Sequence, residues 1–168
     1  GHNDGENSGK INFTTHNPMF VNAAGNDYTL DSFSPAINQG NTSYYTSNVG
    51  STTDVDMYKN ARLAGGKIDL GAFENQSPIQ QDAANILYVD QNVTGGTGIG
   101  NSWANAMKDL GDALKWAYQQ NAFNAFSENN PLKIYVAKGT YSPKFNPQDL
   151  EAGSDARARA YLLAKNVH

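Results

Sequence analysis

Sixteen Asp and Glu, twelve Lys and Arg and three histidines carry most of the ionisable chemistry of this 168-residue chain, which has no cysteine. Asp69 and Glu74, five residues apart in GGKIDLGAFE, supply the carboxylate pair a glycosidase uses, one as acid and one as base or nucleophile. Their setting, between paired glycines and a terminal aromatic, favours a turn role for Asp69 and a surface role for Glu74. Asp54 and Asp56, with Asn48 and Asp31, bring the oxygen donors that Ca²⁺ prefers. Their spacing fits no EF-hand or other Ca²⁺ loop, so solvated turn acids are expected. No cofactor is expected, and Ca²⁺ is the one ion these donors leave open.

His2, His16 and His168 lie at or near the two ends without metal-ligand spacing, so no metal site is expected from them. No Gly-x-Ser-x-Gly elbow frames a serine nucleophile. The glycine-rich GGTGIG, residues 95–100, has neither the Lys-Ser/Thr of a phosphate loop nor a helix directly after it, and reads as a connection. Aromatics are the remaining chemistry. Tyr44, Tyr45, Tyr58 and Trp116 are candidates for stacking on sugar rings, with ordinary packing as the competing reading. The expected catalytic, cofactor-binding and metal residues are therefore none.

The elements that would position these groups are short. Pro18 and Pro35 bound two apolar pieces, Met19-Phe20-Val21 and Tyr28-Thr29-Leu30, with a Gly25-Asn26 turn between them. Residues 41–58 are rich in Ser, Thr and Asn and read as an exposed loop. A strand is expected around Lys67–Leu70. Residues 75–85, with Pro78 and no periodicity, read as a linker. Strands are expected at 86–90 and 132–141, the latter ending in a Lys-Gly-Thr turn at Gly139. Trp103, Met107, Leu110, Leu114, Ala117 and Tyr118 recur at helical spacing and predict one amphipathic helix over about 107–122. Asp109 or Ser102 is the expected cap, and Gly111 weakens the helix by about 1 kcal/mol.

Composition narrows the function classes. Charged residues are 17%, aromatics 11% and the net charge is −4, so the polarity comes from neutral side chains rather than ions. Ordered, turn-rich β structure fits this better than disorder. The scattered cations form no basic stripe for phosphates, which argues against nucleic acid, and no apolar run reaches the ~20 residues of a membrane helix.

Two groups of motifs carry a resemblance. NPMFVNAAGNDYTLDSFSPAINQGN with GGKIDLGAFE resembles the C-terminal end of right-handed parallel β-helix proteins, the pectate-lyase-like, choice-of-anchor type found on Bacteroidetes surfaces. Asn17 stands where that pattern has Asp. ILYVDQNVTGGTGIGNSWANAMKDLGDAL, followed by KIYVAKGTY, is similar to the opening of the same family. The resemblance implies a mainly β fold: terminal segments of β-helices plus one capping helix. It divides the chain into 1–75, the end of one unit, a 76–85 linker, and 86–168, the cap and first rung of another. Trp103, Leu110 and Leu114 would cover the first rung. Gly71 would take a positive φ in the closing turn, with Asp69 accepting backbone N–H groups beside it. Solenoid ends expose unpaired backbone, so neighbouring rungs or another chain are expected at Leu162, Leu163 and the Ile134–Val136 strand.

The resemblance also implies a bacterial secreted or cell-surface setting. Enzymes of this type place catalytic groups on middle rungs, and Arg62, Arg157 and Arg159, the only arginines, lie outside any such strand. The expected function is a non-catalytic structural or adhesive segment of a large surface protein, with polysaccharide as a partner. The alternative is a carbohydrate-active module, a lyase or glycoside hydrolase whose catalytic rungs lie elsewhere. A third arrangement is a self-contained α+β unit with the helix packed on a sheet built from both halves.

Overall fold

The computed structural model describes residues 17–121, 125–153 and 155–168. The readings at His2, Ile11, Phe13 and His16 lie outside them. Strand β1, Phe20–Asn22, turns through the 3-10 segment Ala23–Gly25 into β2, Asp27–Leu30. Asn22 accepts from the Gly25 N–H, and Asn26 adopts φ 63°, so a tight reversal makes the pair antiparallel. Helix α1, Thr42–Asn48, follows. Strand β3, Ile86–Val89, leads through the 3-10 turn Trp103–Asn105 into helix α2, Leu110–Asn121, and then into β4, Lys133–Val136.

Strands β3 and β4 pair in parallel, Ile86 with Lys133 through Val89 with Val136. Parallel neighbours need a long crossover, and α2 supplies it, giving a βαβ unit. The alternation of Leu87 and Val89, both fully buried, turns one face of β3 onto α2. There they pack with Met107, Ala113, Trp116 and Leu132 in the main core. The sequence's last residues pair beside the start of β4. Leu132 N–H donates to Asn166 O at 3.0 Å, and His168 N–H donates to Leu132 O at 2.9 Å.

This architecture overturns the expected β-helix. Among the described residues there are two sheets of two strands each and two α-helices, neither a solenoid nor a mainly β fold. The reasons are local. The first strand pair reverses direction, where a rung would advance. Residues 41–48 form a capped helix. Residues 67–75 form no strand, because side chains take the backbone N–H groups that a ladder would use.

The expected capping helix also begins later than 107. Met107 bridges to Val89 in strand fashion, and Trp103 lies in the 3-10 turn, 47% exposed and edge-on to Tyr88. Ser102 caps that turn by accepting from Asn105 N–H, while Asp109 accepts from Asp112 N–H at the start of α2. Leu114 is buried as expected, but against Phe145 and Leu162 rather than a rung, with Leu110 packed alongside. Leu162 is thus a core residue by its side chain, whereas Leu163 is 81% exposed.

The two halves of the chain touch. Phe33, just after β2, packs against the main core, and its ring lies 6.3 Å from that of Phe145. The ammonium of Lys115 sits over both rings, 4.9 Å from Phe33 and 4.4 Å from Phe145. Residues 76–85, read as a linker, are tied in as well: Ile79 is buried in the main core, and Gln80 N–H donates to Ile99 O.

Candidate functional site

The segment that closes the first half folds around its acids. Asp69 is buried, and its two oxygens accept the N–H groups of Asn38 and Asn75, both at 2.7 Å. Glu74 accepts from Ala64 and Asp69 N–H and forms a 3.0 Å ion pair with Arg62. Asp56 accepts from Tyr58, Asn60 and Glu74 N–H. Arg62 also donates to the carbonyl of Gly71 at 2.6 Å.

Gly71 has φ 121°, a region closed to most side chains, so the closing turn needs glycine as expected. Gly139 has a different reason for its type: a Cβ there would lie 2.8 Å from the Gln91 side chain. Glu74 is buried, where a surface acid is expected, because Arg62 reaches inward to pair with it.

Burial pushes the Asp69 and Glu74 carboxyls above their ordinary values, against the lowering by their N–H donors and Arg62. Burial also acts upward on Asp56, but the N–H bonds from Glu74, Asn60 and Tyr58 together hold it below the ordinary value. A glycosidase pair faces substrate with at least one oxygen free. Here the oxygens are turned onto the protein's own backbone.

The oxygen donors considered for Ca²⁺ also make bonds within the protein. Asp31 accepts from Phe33 N–H, and Asp54 accepts from Tyr45 Oη and Ser51 N–H. Asn48 donates to Tyr44 O. Among the described residues no group of three or more His, Cys, Asp or Glu is placed to hold a metal.

What the closing segment does position is a cleft. Its Gly65–Lys67 turn, residues 37–39 after β2, residues 79–83 and the end of α2 enclose about 620 Å³. That lies within the roughly 300–1,000 Å³ typical of small-ligand sites. Ile37, Ile79, Trp116 and Phe126 form its apolar floor. Four glutamines, Gln39, Gln80, Gln81 and Gln120, line it. Gln39 Nε2 donates to Gln120 Oε1 at 3.2 Å, joining the first half to α2. The one carboxylate among the described residues that line the cleft is Asp82, which accepts from Ala84 and Ile86 N–H and from Tyr88 Oη. The bond from Ile86 N–H is the main reason its carboxyl is held below the ordinary value.

The four aromatics singled out in the sequence do not converge. Trp116 is only 5% exposed, lines the cleft floor and packs beside Phe126, so it is no open stacking platform. Tyr44 is exposed on α1, Tyr45 is tied to Asp54, and Tyr58 leans on Phe73 with ring centres 4.5 Å apart. A row the sequence reading missed lies on the outer face of the β3–β4 sheet. There Trp103, Tyr88 and Tyr135 meet edge to face at 4.9 and 6.0 Å. The strand alternation that buries Leu87 and Val89 must turn Tyr88 outward, and that was the available signal. The glutamines gave no signal, because they come from three separate segments.

The chain matches no protein-family model, no curated protein sequence and no solved structure.

Proposed function

We propose that this chain is a non-catalytic structural or adhesive segment of a large secreted or cell-surface bacterial protein, with polysaccharide as its partner. The observation that carries the reading is the character of the cleft: amides and aromatics line it together with Lys67, and the one carboxylate among the described residues that line it is engaged by three donors of the protein itself. Such a lining suits a neutral ligand, and among the described residues it offers no carboxylate free of protein donors for proton transfer. The buried acids Asp56, Asp69 and Glu74 support the same reading, since each is occupied by backbone N–H groups. The exposed row of Trp103 and Tyr135 adds apolar surface suited to a polymer. The motif resemblance supports the bacterial surface setting. No helix among the described residues is long and apolar enough to cross a membrane.

The test is to incubate the chain with a panel of insoluble polysaccharides, then measure the protein sedimented and the reducing ends or unsaturated products released. Sedimentation with at least one polymer and no product is expected. Product formation that is lost on Asp69→Asn or Glu74→Gln, in variants that remain folded, would overturn the reading.

A further inference from the structure

Four glutamines around one cleft are a chemical statement about what fits there. Each primary amide offers two N–H donors and a carbonyl acceptor and carries no charge. The Gln39–Gln120 bond uses one donor and one acceptor. Gln39 Oε1 and Gln120 Nε2 have no protein partner among the described residues, and neither do the side chains of Gln80 and Gln81. Gln120 is itself only 7% exposed, so the backbone of α2 fixes its amide at the cleft wall.

A ligand meeting this wall must bring donors and acceptors in alternation and little net charge, because among the described residues that line it Lys67 is the only cation and Asp82, the only carboxylate, is already bonded. It must also bring C–H surface for the floor. Only a margin of Trp116 is open, which permits edge contact with a saturated ring and is too little for a nucleobase to stack on. One lysine is also too few for a phosphate chain. A pyranose has the required combination, with hydroxyls around its rim and C–H groups on its faces.

We propose that this cleft is a binding site for neutral saccharide, in which Gln39 and Gln120 bond ring hydroxyls while Trp116 and Phe126 contact the sugar's C–H face. The inference rests on the adhesive reading above and deepens it by naming the site and the ligand class. The cleft is built by both halves of the chain, with Gln39 coming from the first and Gln120 from the second.

The chain has two tryptophans, so Trp103→Phe leaves Trp116 as the sole indole reporter. The full chain carrying that change is titrated with cellohexaose, xylohexaose and mannohexaose, with an oligogalacturonide and adenosine as contrasts. The expected result is a saturable change in Trp116 emission with at least one neutral hexaose. Gln39→Ala, at a half-buried position, should weaken binding about five- to tenfold, as the loss of one or two neutral hydrogen bonds implies. Gln81→Ala serves as a second variant, and urea midpoints verify that each is folded. A response confined to oligogalacturonide or adenosine overturns the ligand class. Retention is measured on the unsubstituted chain, because Trp103 belongs to the exposed aromatic row. Silent Trp116 emission with that chain still retained by polysaccharide overturns the cleft and leaves the adhesive reading standing. No retention of the unsubstituted chain and no emission change overturns both.

Discussion

Arg62 and Glu74 form the most enclosed ion pair of the described residues, with side-chain exposures of 14% and 0%. Removing one partner of such a pair leaves an uncompensated buried charge and costs about 3–5 kcal/mol. Arg62→Ala should therefore lower the unfolding free energy by that amount at neutral pH, read from urea denaturation. The deficit should shrink as pH falls through the raised Glu74 value, because a protonated Glu74 no longer needs its partner. The wild-type acids pull in opposite directions. Burial raises the Asp69 and Glu74 carboxyls, so their contribution to stability is greatest at low pH and is lost as pH rises through the raised values. Asp56 is held down, so its contribution is present above the ordinary aspartate value and is lost as pH falls through the depressed one. Glu74→Gln should flatten the decline on the rising side and Asp56→Asn the decline on the acid side, both measured as urea midpoint against pH. At this scale the sequence was partly legible. Asp69 beside Gly71 could be read as a turn acid, because a short acid next to a positive-φ glycine has few other uses. The burial of Glu74 could not, since its partner Arg62 is supplied by a separate turn.

Strand β3 stood out in the sequence as a short apolar run between turn residues and helix α2 by apolar residues repeating near 3.6, and both formed close to where those patterns placed them. Helix α1 did not, because Thr42–Asn48 is polar on every side. It is held by Asn41 accepting from Tyr44 N–H, and by Thr46 and Asn48 bonding carbonyls one turn back. Asn41→Ala should cost about 1 kcal/mol, the usual loss for an N-cap, visible as a lower thermal midpoint. The expected strand at Lys67–Leu70 failed for a related reason: Ile68 and Asp69 N–H groups are taken by Thr42 Oγ1 and Glu74. Leu132, fully buried where β4 meets both β3 and the chain's last residues, is the element-scale test of the core. Leu132→Ala should cost about 2–5 kcal/mol, and urea unfolding measures it.

At the scale of the molecule, the two halves meet through Lys115 between the rings of Phe33 and Phe145, through Gln39 and Gln120, and through Gln119 Nε2 near Met19 Sδ at 2.9 Å. Each contact links residues far apart in sequence, which is why no local pattern announced them. The sequence offered contact between the halves only as a third arrangement, through a shared sheet, whereas each sheet lies within one half and the contact runs through these side chains. Desolvated cation–π contacts are worth about 2 kcal/mol. Lys115→Ala should therefore loosen the first half, seen as faster limited proteolysis between residues 17 and 40 while the βαβ unit stays protected.

The central claim, a binding element whose cleft holds neutral sugar without chemistry, is tested most directly by native electrophoresis of the full chain through gels cast with neutral polysaccharides. The account predicts slower migration in at least one gel and a polymer of unchanged size. Unretarded migration in every gel, or a polymer shortened by the protein, would contradict it.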